Sequence, residues 1–378
     1  VTRCRKGRSA SVPVPYPLPV TEQKRSTNEP AGEETTADAR VLFVGKYGLD
    51  DAAGNAVAIR RLKAAFEDKG VSVRYIQAGQ SAGQAAFALF GFTPTIVHAL
   101  HAGDAARLAE ELARALEVPL VITVTGTDLN GSEAEARAAR ERLTAADAVV
   151  ALTDIQVEQL LELVSDQRVV RIPQSVKLGE EPFELREALQ HVAGPELAAR
   201  RILLLAGGLR PVKGQLFALE AFERAAGTLD DWLLVLAGPV LDETYAAEVR
   251  ERARALGGAV YIGEIPHGAM ASAMGACDAL LNSSESEGEP QIILEAQCSS
   301  LPVIARRVVG NTALVEDGVT GWLFDDYSGL SGLLVDLASD PERLAEPSTP
   351  AAAAWMWPPR QRRTWTSISS SSADPSPP

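Results

Sequence analysis

The chain has 378 residues, 46% of them apolar, with a formal net charge of −14 and a pI near 4.9. That length and apolar content suffice for two ordinary cores, and the acidity argues against a nucleic-acid or anionic-membrane surface. No apolar run reaches the roughly 18 residues of a membrane helix. Cys4, Cys277 and Cys298 lack metal-ligand spacing and read as reduced thiols of a cytoplasmic protein, the latter two in apolar, buried segments.

Residues 1–40 carry Arg3, Arg5, Lys6 and Arg8, then prolines at 13, 15, 17 and 19, with no apolar block and no periodicity. This composition predicts a disordered segment. From Val41 short β-branched runs alternate with Ala-rich amphipathic stretches, the pattern of a parallel α/β domain. Strands are predicted at Val41–Gly45, Val71–Gln77, Thr95–Ala99, Leu120–Val124, Ala148–Leu152 and Val169–Ile172. The 3.6-residue periodicity predicts helices at Ala56–Lys69, Ala105–Leu116, Glu133–Ala145 and Ile155–Val164. A charged, less regular linker, 174–200, follows this first domain, 41–173.

The pattern restarts in a second domain, 201–346. Its predicted strands are Arg201–Ala206, Trp232–Ala237, Ala259–Ile262, Ala279–Asn282 and Val303–Ala305. The helices between them are predicted at Gln215–Ala226, Thr244–Leu256, Ala269–Cys277 and Ile292–Gln297. Residues 347–378, rich in Pro, Ser and Ala, show no helical stripe and read as a disordered or aberrant tail. Two successive Rossmann-like domains place a cleft between the carboxyl ends of both sheets, where ligands of such sheets bind.

Three loops at those strand ends carry chemistry. The run from Asn282 to Ala296 follows a strand and opens a helix, with Gly288 and Pro290 suited to the tight turn. Exposed amides near Gly288, Gln291 and Ile292 suit a phosphate or sugar oxygen. Glu287 lies before that helix and Glu295 two turns inside it, so the two carboxylates are placed to grip different parts of one long ligand. Read alone, they are equally what a solvated helix cap looks like. The loop Gly207-Gly208-Leu209-Arg210-Pro211-Val212-Lys213-Gly214 lacks the Gly-Lys-Ser/Thr ending of a Walker sequence. In the first domain, Gly54-Asn55-Ala56 and Gly126-Thr127-Asp128 follow strands, and His101 ends another.

Glu287 and Glu295, eight positions apart, with Leu294-Glu295-Ala296 and Leu301-Pro302-Val303-Ile304-Ala305, resemble the paired-glutamate motif of the retaining glycosyltransferase family 4. The resemblance implies a GT-B fold, α/β with two Rossmann-like domains facing a central cleft. It implies that Glu287 serves the transferred sugar, Glu295 the nucleotide ribose, and the amides between them the sugar and phosphates. The 207–214 loop resembles that family's diphosphate loop, with Lys213 matched directly. Where the family has Arg this chain has Gly208, and Arg210 stands two places on. Thr125 replaces the His of the usual His-Gly-Thr-Asp, leaving Asp128 and His101 as the polar candidates there. The set around Gly54-Asn55-Ala56-Val57 narrows the resemblance to one subgroup of the family and, more distantly, to bacterial selenosugar synthases. Family members usually end on a helix crossing back to the first domain, a stripe that 347–378 does not show.

The expected function is therefore metal-independent, retaining transfer of a sugar from a nucleotide sugar, UDP-linked by expectation. The acceptor, a small molecule, glycan or lipid, is not readable. No cofactor is expected, nor a nucleic-acid partner. No Asp-x-Asp occurs and no cluster has metal-ligand spacing. Two alternatives stay open: a non-catalytic sugar-nucleotide-binding or scaffold protein, and a sugar-nucleotide epimerase of the same architecture, which the sparse His content disfavours.

Overall fold

In the first β/α series, β1 (Arg40–Gly45), α1 (Gly54–Asp68), β2 (Ser72–Gln77), α2 (Ala82–Leu89), β3 (Ile96–Leu100) and α3 (Asp104–Leu116) come first. They are followed by β4 (Leu120–Thr123), α4 (Thr127–Asn130), α5 (Glu133–Ala145), β5 (Ala148–Ala151), α6 (Asp154–Leu161) and β6 (Val169–Arg171). The computed structural model describes residues 39–51, 54–125, 127–130, 133–165 and 168–345. Its first sheet is all parallel, in the order β2-β1-β3-β4-β5-β6. The expectations for 1–38 and 347–378 lie outside the described residues; Arg40, assigned by sequence to the leading segment, opens β1.

Two short helices, α7 (Leu185–Ala193) and α8 (Pro195–Ala198), then precede the second series. That series begins β7 (Arg201–Ala206), α9 (Gln215–Arg224), β8 (Trp232–Ala237), α10 (Glu243–Leu256), β9 (Ala259–Tyr261) and α11 (Met270–Met274). It continues β10 (Ala279–Asn282), α12 (Gln291–Cys298), β11 (Val303–Arg306), α13 (Val309–Thr312), β12 (Trp322–Phe324) and α14 (Tyr327–Ser339). Its sheet is also all parallel, ordered β12-β11-β10-β7-β8-β9, the doubly wound arrangement of a Rossmann domain.

The strands read as unbroken apolar runs because both faces of each sheet are covered. In β7, Leu203 and Leu205 enter one core with α9 and α10, while Ile202 and Leu204 enter another with α12. In β1, Leu42 and Val44 pack on the α3 side, and Val41 and Phe43 on the α1 side.

Three expectations need correction. The irregular linker 174–200 contains α7 and α8, and Leu185, Leu189 and Ala198 are buried in the second domain's core. Apolar positions spaced by four among charges are a helix stripe too short to stand out by periodicity. Helix α2 is absent from the predicted elements: Ser81 and Gln84 form a capping box that starts it, with Gln84 N donating to Ser81 Oγ at 3.3 Å and Ser81 N to Gln84 Oε1 at 3.0 Å. Strand β12 and helix α14 are additional, and Leu330, Leu334 and Leu337 of α14 close the core beside α9.

Candidate active site

Ligand crevices in doubly wound sheets open where the strand order reverses. In the second sheet that point lies between β7 and β10. The loops after those strands meet there. Ser283 Oγ donates to the carbonyls of Lys213 and Gly214 at 3.0 Å each, and Glu285 N donates to Val212 O at 2.9 Å. Gly214 permits this approach: its φ is +66°, and a Cβ would lie 2.4 Å from the Ser283 carbonyl oxygen. Gly310, in α13, presses equally closely on the Glu287 backbone, where a Cβ would lie 2.5 Å from the carbonyl carbon. Buried Asn311 ties the same region down, donating to Arg306 O at 2.8 Å.

In the first sheet the reversal lies between β1 and β3. Gly54, Asn55 and His101 sit at that edge and face the second domain across a cavity of about 820 Å³. The cavity brings together Gly54, Asn55 and His101 with Gly208, Arg210, Lys213, Glu287, Gly288, Pro290, Gln291, Ile292 and Glu295. A Cβ on Gly54 would meet nothing within 4 Å, so the protein leaves space there. On Gly208 it would lie 2.5 Å from Leu241 Cδ1, so Leu241 occupies the space a side chain at 208 would need.

Asp128 is the exception among the sequence candidates. It is buried and absent from the cavity lining, and its carboxylate accepts from the amides of Ala102 and Thr125 at 3.0 Å each. It ties together the loops after β3 and β4, which corrects the expectation of a polar cleft residue. His101 does line the cavity, with φ at +87° and Nδ1 accepting from Gly103 N at 2.9 Å. An accepting Nδ1 leaves the ring proton of the neutral imidazole on Nε2.

The central pair is Lys213 and Glu287, with Nζ 2.6 Å from Oε1 and both side chains largely buried. Burial alone would push the Glu287 carboxyl up. The Lys213 ammonium, with hydrogen bonds from Lys213, Ser284 and Asn282, outweighs it and holds the group below the ordinary carboxylate value. Glu295 lacks such a partner, and burial raises it to about 7 against the opposing pull of Arg61. His267 Nδ1 stands 3.7 Å from Glu295 Oε1, and burial, then Arg60 and Arg61, keep that imidazole below its usual value. The reduced thiols Cys277 and Cys298 are half-buried, and burial pushes Cys277 up to about 12.

Several site residues escaped the sequence reading. Glu289 lies within the Glu287–Glu295 run and is raised to about 7 by burial, partly countered by Gln174, Arg171 and Arg61. Gln174 N donates to Glu289 Oε2 at 2.9 Å. Arg61, on α1, crosses from the first domain to bond Gln291 Oε1 and, at 2.9 Å, Gln174 Oε1. His98, half-buried on β3 and lowered to about 4 by its withdrawal from water, lines the cavity with Nε2 2.7 Å from Thr123 Oγ1. Arg60 and Arg61 read as the solvated face of a helix, and only the docking of the second domain singles out Arg61. Glu289 carried a usable signal, as a third carboxylate at the turn into an apolar helix. Among the described residues, no group of three or more His, Cys, Asp or Glu is placed to hold a metal ion.

Fold and site define the class: this chain belongs to the GT-B, family 4-like glycosyltransferases. Residues 190–351 match the model of glycosyl transferases group 1, and residues 30–174 that of the glycosyl transferase 4-like domain. The subgroup to which the Gly54 and Lys213 motifs point is that of Glycosyltransferase 1 domain-containing protein 1. The Xenopus tropicalis protein of that name is 32% identical over 162 residues, 43% of this chain and 46% of that relative. A D-inositol 3-phosphate glycosyltransferase of Acidothermus cellulolyticus is 28% identical over 211 residues, 51% of this chain and 47% of that protein. The matches thus span about half the length of these curated relatives. Among solved structures, Anabaena HepE in complex with UDP-glucose superposes with a TM-score of 0.67 at 18% identity, covering 84% of this chain and 95% of that one. Among the described residues no helix is long and apolar enough to cross a membrane.

Proposed function

We propose that this protein transfers a sugar from a nucleotide sugar, UDP-linked, to an acceptor, with retention at the anomeric carbon and without a metal ion. The observation that carries the proposal is the Lys213–Glu287 pair at the switch point, with Glu295 deeper in the same cavity wall. Solved GT-B structures of similar fold bound to UDP and UDP-glucose support the donor class.

The chemistry follows from charge. A departing nucleoside diphosphate gains negative charge as its bond to the sugar breaks, and fixed cations in a low-dielectric cleft stabilise that change. Lys213 supplies one such cation, held in place by Glu287 before any ligand arrives. Arg210 supplies a second, its Nε buried without a partner. The first amides of α12 have no intrahelical acceptor and are suited to the sugar or phosphate oxygens. Glu295 then accepts from the ribose, and Glu287 from a hydroxyl of the transferred sugar. Attack comes from the face the diphosphate leaves, with no protein nucleophile assigned. Asn55, Thr125, His98 and His101 are among the polar residues of the acceptor-side wall.

A non-catalytic sugar-nucleotide-binding protein is the second reading, favoured by Leu241 filling the space at Gly208 and by Thr125 in place of His. One experiment separates them: calorimetry and nucleotide release over UDP-, GDP- and ADP-sugars, for wild type, Glu295→Ala and Lys213→Met. The transferase reading expects one donor to bind and to be slowly hydrolysed, with Lys213→Met losing turnover far more than affinity. Binding without any turnover would favour the binding protein, and no binding at millimolar concentration would sink both readings.

A further inference from the structure

Arg61, on α1 of the first domain, reaches the donor loop of the second. Its fork is bonded to two neutral carbonyls, Gln291 Oε1 at the start of α12 and Gln174 Oε1 in the linker. The side chain is partly buried and lines the cavity, yet among the described residues no carboxylate oxygen lies within 4.0 Å of it. The carboxylates of Glu295 and Glu289 act on it across a gap. A cation withdrawn from water without a contacting anion is costly, and folded proteins keep one mainly where a ligand completes the pair. A second observation points the same way. Gln291 Nε2, Arg210 Nε and Ser286 Oγ, all on residues lining this cavity, are buried with no hydrogen-bond partner. Unmet polar capacity therefore lines the same cavity as the Arg61 fork.

We propose that Arg61, supplied by the acceptor-side domain, is a donor-binding residue that meets the diphosphate of the nucleotide sugar across the cleft, so that the bound donor bridges both domains. This rests on the nucleotide-sugar reading above and adds a cation from the opposite domain to Lys213 and Arg210. Gly208 stands where the family motif has Arg, and Leu241 fills that space. Arg61 restores a positive charge from the other wall. Its planar fork matches a phosphate in two-pronged fashion, which a lysine in its place cannot do.

The test compares UDP with uridine, by calorimetry, on wild type, Arg61→Met, Arg61→Gln and Arg61→Lys, with melting temperatures confirming that each variant folds. A diphosphate contact predicts that Arg61→Met and Arg61→Gln lose about tenfold or more in UDP affinity. It also predicts unchanged uridine affinity, and an intermediate loss for Arg61→Lys. In donor hydrolysis KM rises accordingly. Equal losses for UDP and uridine would assign Arg61 a purely structural part and overturn the proposal, as would unchanged UDP affinity in Arg61→Met. If wild type binds neither UDP, GDP nor ADP, the parent reading fails and this proposal fails with it.

Discussion

Replacing Lys213 by methionine removes the ammonium 2.6 Å from Glu287 while keeping most of the packing volume. What then happens to Glu287 can be read from its neighbours. Glu289 and Glu295 are buried in the same wall without a contacting lysine, and both are raised from 4.5 to about 7. Freed of Lys213, Glu287 keeps the burial that raises those two carboxyls, and its own is expected to move up. In the wild type its lowered pKa contributes stability above the unfolded value, lost as the pH falls. In the variant the sign inverts: a carboxyl raised in the folded state costs nothing below its unfolded value, costs progressively more between the unfolded and the folded value, and levels off above the folded one. A carboxyl raised as far as those of Glu289 and Glu295, from 4.5 to about 7, costs about 3 kcal/mol once both values are passed, near pH 8, and about 1 kcal/mol at pH 5. Urea unfolding of wild type and Lys213→Met at the two pH values measures the difference. Adding Glu287→Gln should recover most of the loss at pH 8, because no buried carboxylate is left to ionise. A penalty of equal size at both pH values, or no recovery in the double variant, would refute this reasoning.

Two further outcomes follow from the same wall. Glu295→Gln should flatten the fall in stability between pH 5 and pH 8, because the wild-type carboxyl, raised to about 7, must ionise in a buried site over that range. The same variant should bind nucleotide sugar more weakly, and an unchanged pH slope in its unfolding curves would contradict the assignment. Gly310→Ala places a Cβ 2.5 Å from the Glu287 carbonyl carbon, so the loop must shift. The expected results are a loss of about 1–3 kcal/mol in stability and a larger proportional loss of donor turnover, read from thermal melts and nucleotide release.

Much of this protein is legible in its sequence. Unbroken runs such as Arg201–Ala206 and Trp232–Ala237 appear as strands at those bounds because a parallel sheet covered on both faces leaves no polar positions. The Glu287–Glu295 spacing placed two carboxylates on one wall because a strand, a turn and a helix follow one another along the chain. Local physics also lay behind α7 and α2, although their stripes are short. The opposite holds for Asp128 and Arg61. A loop aspartate after a strand is equally suited to a ligand or to backbone amides, and only the fold turned it toward Ala102 and Thr125. Arg61 bonds Gln291, 230 positions away, and nothing in α1 distinguishes it from Arg60 beside it. Periodicity records which face of an element is apolar. Which charged residue is carried out of water depends on how two domains dock, and that is decided by the tertiary structure alone.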